Sequence, residues 1–110
     1  AGMFLGAVEE QIPIVIDGAI STAAALAASR ICEKEEAVAD VTLASHVSKD
    51  GAARKALEAL GLRAIIDADM SLGEGSGAVL LMPMLDAALA VYRGMGSFDD
   101  IHVEAYHRFN

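Results

Sequence analysis

The sequence predicts an α/β fold with three layers, α/β/α, in which helices cover both faces of a parallel sheet. Short apolar, β-branched segments alternate three times with longer helical segments at similar spacing, which is typical of consecutive βα units. The strand segments are almost continuously apolar, as expected for strands buried on both faces. The 110 residues are 55% hydrophobic, enough for one core.

The first helices and the first strand follow from the amino-terminal third of the chain. Residues 1–10 predict an apolar helix that is already under way at the first residue, so we expect a piece of a longer polypeptide. Residues 12–17 predict the first strand. The segment 21–36 predicts the next helix, with Ser21 or Thr22 near its N-cap because hydroxyl side chains accept from the free backbone N–H groups there.

Two more βα units follow. Residues 41–46 predict the second strand, and 47–61 predict a helix that ends at Gly61. Residues 63–70 predict the third strand, and 76–93 predict a long, buried, apolar helix. We divide the chain into a domain over 1–96 and a polar tail over 97–110.

Composition excludes several classes of function. Sixteen acidic residues against eight basic ones give a net charge of −8, which disfavours nucleic-acid binding. Cys32 is the single cysteine, so no disulfide framework exists, and a reducing cytoplasm is the expected compartment. Pro83 and Asp86 interrupt the longest apolar runs, which predicts no membrane span, and no basic segment precedes the first apolar residues as in a signal peptide.

Polar residues gather in the loops that follow the three predicted strands. These loops are 17–19, 45–48 and 72–77. Because ligands of open parallel sheets bind beyond the carboxyl ends of the strands, we expect the functional site there.

The stretch SLGEGSGA, residues 71–78, places Glu74 between two glycines at the start of a helix. One interpretation is a plain helix start in which Ser76 is the cap. The other is a site where glycines let backbone N–H groups approach an anion and the carboxylate acts as a base. The spacing G-x-G-x-G matches neither the dinucleotide fingerprint nor the P-loop.

Three other polar residues in these loops have two interpretations each. His46 is either a general base or ligand, or a histidine bonded to backbone at the end of a strand. Ser48 either caps the following helix or donates to a phosphate. Asp17 either caps the turn that follows it or accepts a hydrogen bond from a sugar hydroxyl. No partner residue stands at metal-ligand spacing, so no metal is implied.

Four segments in order resemble the C-terminal part of the nicotinate-nucleotide–dimethylbenzimidazole phosphoribosyltransferase family. They are IPIVIDGAISTAAAL, ASHVS, ALEALGL and MSLGEGSGAVLLMPML, and the resemblance covers essentially residues 1–96. The combination of D-G-x-I-S-T-A-A-A with L-G-E-G-S-G-A is specific to the family. The sequence departs from the family pattern at Ala19, at Ala52 and Ala53, and at Ser71.

The resemblance implies a Rossmann-like parallel sheet, of which these residues would supply only part, and a pentosyltransferase. The reaction would transfer phosphoribose from nicotinate mononucleotide to 5,6-dimethylbenzimidazole or a related base in cobalamin lower-ligand synthesis. It implies Glu74 as the catalytic base, and a substrate-binding set consisting of Asp17, Gly18, Ser48, Gly73 and Gly75. It implies no cofactor, and a homodimer. The family's chains are about three times longer, so we expect activity from the full-length parent and none from these residues alone.

A second hypothesis is a non-catalytic α/β module that binds nucleotides or completes a separate partner chain. An upstream reading frame that continues the family pattern would favour the enzyme over this module.

Overall fold

The computed structural model describes residues 1–71, 73–96 and 100. The predicted tail 97–110, apart from Asp100, and Leu72 of the glycine-rich loop lie outside the described residues. The elements in chain order are α1 (Gly2–Glu10), β1 (Ile14–Ile16), α2 (Ala19–Ile31), α3 (Glu35–Asp40), β2 (Thr42–Ala44), α4 (Gly51–Ala59) and α5 (Ser76–Gly94).

Strands β1 and β2 pair in parallel, which confirms the predicted α/β class. Their register places Ile14 opposite Thr42 and Ile16 opposite Ala44. The backbone N–H of Ser45 donates to the carbonyl of Ile16 at 3.1 Å, so the pairing continues one residue beyond the strands. Ile16 is fully buried, as expected for a strand covered on both faces.

The third predicted strand, 63–70, is wrong as a full strand. Among the described residues it is reduced to one parallel bridge between His46 and Ile66. The N–H of Ile66 donates to the carbonyl of Ser45 at 2.8 Å, and the chain then leaves the sheet. Asp69 has a positive φ of 50°, a left-handed conformation that ends an extended run, and aspartate is disfavoured in strands.

The predicted helix over 21–36 is also wrong, because two helices replace it. Helix α2 ends at Ile31, and Cys32 adopts an extended conformation with φ −67° and ψ 137°. Helix α3 then redirects the chain, and its Val38 is fully buried in the core. Burial of this side chain outweighs the propensity of an alanine-rich segment to continue as one helix.

Helix α4 begins four residues later than predicted, at Gly51. Its N-cap is Asp50, whose Oδ1 accepts a hydrogen bond from the N–H of Ala52 at 2.9 Å. The helix ends as predicted near Gly61, which has a φ of 68° and donates its N–H to the carbonyl of Glu58.

Helix α5 has almost the predicted bounds, but the prediction that it is buried is wrong. Within this helix, which is described throughout, only Gly77 and Leu81 are buried, and Tyr92 is 84% exposed. The helix continues through Pro83 and Asp86, so the expectation that these residues make the apolar run too short for a membrane span is wrong. By length and composition α5 is sufficient to cross a membrane, a property that core helices of larger folds share.

The core lies between the two strands and helices α1 to α4. Helix α2 packs on α1, α3, α4 and β1, with Ala25 and Ala28 fully buried. These small side chains allow close approach of helices and sheet. Larger side chains complete the core, among them Phe4, Ile16, Val38, Val47, Leu57 and Leu60.

Candidate functional site

A cleft of about 720 Å³ opens at the carboxyl ends of β1 and β2. The loops after both strands and the glycine-rich loop before α5 meet there, as the parallel topology requires. All six residues predicted for the site line this cleft: Asp17, Gly18, Ser48, Gly73, Glu74 and Gly75. Residues up to 58 positions apart in the sequence are therefore brought to one place.

The carboxylate of Asp17 joins the loop after β1 to the start of α5. Its Oδ2 accepts from the N–H of Gly75 at 2.9 Å, and its Oδ1 accepts from the N–H of Ala78 at 3.0 Å. Asp17 thus caps α5 and not the turn that follows it in the sequence. The prediction that Ser76 caps α5 is wrong. The Ser76 hydroxyl instead donates to the carbonyl of Gly73 at 3.0 Å.

These bonds also determine the charge state of Asp17. Burial, the largest influence, raises the pKa of the carboxyl. Hydrogen bonds from the backbone N–H groups of Ala78, Gly75 and Gly77, in that order, lower it, and the nearby His46 lowers it further. The net result is a pKa below the ordinary 3.8, so Asp17 carries a negative charge at neutral pH and stabilises the positive end of α5.

Glu74 occupies a strained backbone position at the rim of the cleft. Its φ is 64°, a left-handed value that non-glycine residues adopt rarely, and Gly75 follows with φ 84°. The turn is closed onto the carbonyl of Gly73, which accepts from both the N–H and the hydroxyl of Ser76. Such strain is concentrated at functional sites, and here it presents an exposed carboxylate on a fixed turn.

The start of α2 is fixed by Ser21, which lies in the first turn. Its Oγ accepts from the N–H of Asp17 and from the N–H of Gly18, each at 3.0 Å, and donates to the carbonyl of Gly18 at 2.9 Å. The N-cap is Gly18 itself, in extended conformation, so Ser21 and Thr22 stabilise the helix start without being its cap. The peptide that carries Asp17 is held in place by these bonds.

Ser48 is half-buried in the cleft and is not the cap of α4, since Asp50 has that role. The Ser48 hydroxyl accepts only a long hydrogen bond, 3.3 Å, from the N–H of Asp50. Its O–H therefore remains able to donate toward the cleft.

His46 and Gly77 form a contact that no sequence pattern predicted. His46 lines the cleft and is 3% exposed, and its ring lies directly on the backbone of Gly77 in the first turn of α5. A Cβ added at position 77 would overlap the imidazole. The only sign of this contact in the sequence is the glycine at position 77. A helix start or a phosphate site would explain that glycine equally well.

The positions that depart from the family pattern fall in two places. Ala19 and Ser71 line the cleft. Ala52 and Ala53 line a separate groove between α2 and α4 and are not part of the cleft lining. Among the described residues no three His, Cys, Asp or Glu side chains are grouped as metal ligands would be.

Comparison with known proteins identifies the family. A family model described as phosphoribosyltransferase matches residues 1–103. The nicotinate-nucleotide–dimethylbenzimidazole phosphoribosyltransferase of Acetivibrio thermocellus is 45% identical over 106 residues, which cover 96% of this chain and 29% of that protein. The enzyme of the same name from Escherichia coli O1:K1 is 47% identical over 96 residues, covering 87% of this chain and 26% of that protein.

A solved structure agrees. The nicotinate-nucleotide–dimethylbenzimidazole phosphoribosyltransferase of Thermus thermophilus superposes with a TM-score of 0.79 and 40% identity, covering 96% of this chain and 31% of its own. The chain therefore spans about 30% of the length of the relatives that it matches. By these matches the chain belongs to the nicotinate-nucleotide–dimethylbenzimidazole phosphoribosyltransferase family.

Proposed function

We propose that the full-length parent of this chain transfers phosphoribose from nicotinate mononucleotide to 5,6-dimethylbenzimidazole, giving α-ribazole phosphate and nicotinate. Family membership supports the reaction class. The observation that carries the assignment to this part of the protein is the cleft itself. It contains Glu74, on a turn with positive φ, facing the same space as Asp17 and Ser48.

The reaction needs a base more than an acid. Nicotinate leaves from a pyridinium that already carries a positive charge, so its ring nitrogen takes the electrons of the breaking C1′–N bond without protonation. A benzimidazole nitrogen attacks C1′ from the opposite face of the sugar. The other ring nitrogen of the nucleophile then carries an N–H proton that must be removed, and one positioned carboxylate suffices for that.

Glu74 is the proposed base. The turn between Gly73 and Gly75 holds the carboxylate at the rim of the cleft, and its exposed position makes it accessible to an incoming aromatic base. The N–H proton passes to a carboxylate oxygen of Glu74 as the new C1′–N bond forms. The neighbouring glycines offer no side chain that would keep a planar ring away.

The remaining site residues are proposed to bind the phosphate or to shape the cleft. Because both oxygens of Asp17 already accept from the start of α5, this carboxylate neutralises the helix end that would otherwise attract a phosphate. Asp17 and Gly75, which both line the cleft, are therefore proposed to shape it. The proposed donors to the phosphate are the Ser48 hydroxyl and the backbone N–H groups that follow Gly18 at the start of α2, since the N–H of Gly18 itself donates to Ser21.

The test is a nicotinate-release assay on the full-length parent. Nicotinate mononucleotide is incubated with dimethylbenzimidazole, with adenine, with a phenol, and with no acceptor, and nicotinate and the ribosylated base are quantified by chromatography. We expect release that depends on a benzimidazole and equals the ribosylated product. Absence of release with every acceptor would refute the proposal, and release without acceptor would indicate a hydrolase.

Assembly and location belong to the same proposal. We propose a homodimer in the cytoplasm, with no membrane and no nucleic-acid partner. The net charge of −8 disfavours binding of nucleic acid. Light scattering of the full-length parent and fractionation of the source cells test these two statements.

A further inference from the structure

The imidazole of His46 is buried between backbone segments at the bottom of the cleft. It lies at the carboxyl end of β2, in contact with the backbone of Gly77 on one side and 3.9 Å from the position of a Cβ on Gly18 on another. A Cβ at position 77 would overlap the ring, whereas one at position 18 would lie at ordinary contact distance from it. A buried ring packed against backbone in this way is positioned for a hydrogen bond to a ligand.

The neighbouring Ser45 determines which ring nitrogen carries the proton. Its hydroxyl donates to the carbonyl of Ile16 at 2.6 Å, and a serine has one proton to give. The same Oγ lies 3.4 Å from Nδ1 of His46. The hydroxyl is therefore the acceptor in this long contact and Nδ1–H is the donor, which leaves Nε2 as the ring nitrogen that can accept a hydrogen bond.

Nε2 has no hydrogen-bond partner among residues 1–71, 73–96 and 100. Within the described part of the chain the ring's hydrogen bonding is through Nδ1 alone, and no buried side-chain nitrogen or oxygen is left unsatisfied. Nε2 must therefore reach the open space of the cleft that His46 lines. An acceptor aimed into a binding cleft from a ring that is only 3% exposed fits a ligand hydroxyl, because the sequence alternative, Asp17, has both oxygens engaged.

We propose that Nε2 of His46 accepts a hydrogen bond from a pentose hydroxyl of the phosphoribosyl substrate, and that His46 thereby selects ribose over deoxyribose. This inference rests on the proposed phosphoribosyl transfer. It assigns to His46 a role in substrate recognition, with Ser45 and Gly77 as positioning residues that fix the ring.

The first experiment needs no variant. The full-length parent is titrated in a calorimeter with nicotinate mononucleotide and with its 2′-deoxy and 3′-deoxy forms, in the absence of an acceptor base. We expect one deoxy form to bind roughly threefold to tenfold more weakly, the loss of one neutral hydrogen bond. Equal affinity for all three probes would overturn the proposal.

Two substitutions then assign the contact to Nε2. His46→Asn keeps a donor near Nδ1 for Ser45 but has nothing at Nε2, whereas His46→Gln carries its amide to about the Nε2 position. We expect His46→Asn to bind nicotinate mononucleotide and the discriminating deoxy form equally, and His46→Gln to retain part of the discrimination. If His46→Asn weakens all three probes by the same factor, the ring has a structural role only and the proposal is wrong.

Failure of this inference is distinct from failure of the proposed function. A parent that releases nicotinate but does not discriminate between the probes keeps the reaction and loses the role of His46. A parent that neither binds nicotinate mononucleotide nor releases nicotinate loses both.

Discussion

The carboxylate of Asp17 accepts a hydrogen bond at 2.9 Å from the backbone N–H of Gly75, 58 residues further along the chain. A second bond to Ala78 completes the cap of α5. Through this pair the loop after β1 fixes the turn that carries Glu74. The position of Glu74, the proposed base, therefore depends on Asp17, which need not contact Glu74 itself.

Asp17→Ala should destabilise the protein by about 0.5–2 kcal/mol, the usual cost of removing a side-chain N-cap. The measurement is urea unfolding of the full-length parent. The pH dependence follows from the lowered pKa of Asp17. The stability it provides is complete above the unfolded pKa and is lost as pH falls through the lower folded pKa.

The stability difference between wild type and Asp17→Asn should therefore be constant near neutrality and shrink below about pH 4. A difference that grows on acidification would contradict this assignment of the charge.

Glu74→Gln should lower kcat by roughly 10²- to 10⁴-fold, because the amide keeps the size of the side chain but cannot take the proton. KM for both substrates should change little. Glu58→Gln, an exposed change on α4 outside the cleft, is the matched control and should leave the rate unaltered. A fully active Glu74→Gln enzyme would remove this residue from the mechanism.

Gly77→Ala should destabilise the fold by about 1–3 kcal/mol, because the new methyl group would overlap the ring of His46 and force it to move. Gly51→Ala, at the first residue of α4 with open space around it, should cost nothing. Thermal unfolding of the two variants compares them directly. Equal stabilities would mean that the His46 ring is free to move.

Ser48→Ala should weaken binding of nicotinate mononucleotide by about 1 kcal/mol, more if the lost partner is a charged phosphate, with little change in stability. Asp50→Ala should give the opposite pattern, a loss of about 1 kcal/mol in stability with an unchanged KM, because Asp50 caps α4. Steady-state kinetics and melting curves of both variants decide the matter. A Ser48→Ala variant that loses stability and keeps its KM would restore the capping interpretation.

The 110-residue chain on its own should self-associate and show no transferase activity. Helix α5 leaves apolar side chains such as Val79 and Val91 more than half exposed, and association removes such surface from water. Light scattering at micromolar concentration and the nicotinate-release assay are the measurements. A strictly monomeric species, or sustained turnover, would contradict the corresponding half of this prediction.

Local patterns predicted much of this fold. The β-branched run around Ile14–Ile16 and the glycine-bounded helix α5 lie where the sequence placed them, because propensity and turn residues agree there. The split between α2 and α3 was not predictable, since it arises from burial of Val38 by a tertiary contact. The third strand is shorter than predicted because Asp67 and Asp69 disfavour the extended pairing that the apolar residues around them favour.

The expectation that ligands bind beyond the carboxyl ends of parallel strands correctly predicted that the candidate residues line one cleft. The hydrogen-bond partners of these residues could not be predicted from the sequence. Asp17 looked like a local cap or a sugar ligand, and its true partners lie 58 and 61 residues away. The contact of His46 with Gly77 depends on the packing of two elements that no local window contains. Alternation and spacing do not encode such pairings.

The Asp17 cap also has a consequence for the order of folding. The bonds from Asp17 to Gly75 and Ala78 close chain segments of about sixty residues, whereas α1, α2 and α4 form from neighbours in sequence. Closing such long segments costs entropy that local helices do not. We therefore expect the α5 start to dock after the β1–β2 unit has formed, and amide protons of Gly75 and Ala78 to exchange with solvent faster than those of the central strands.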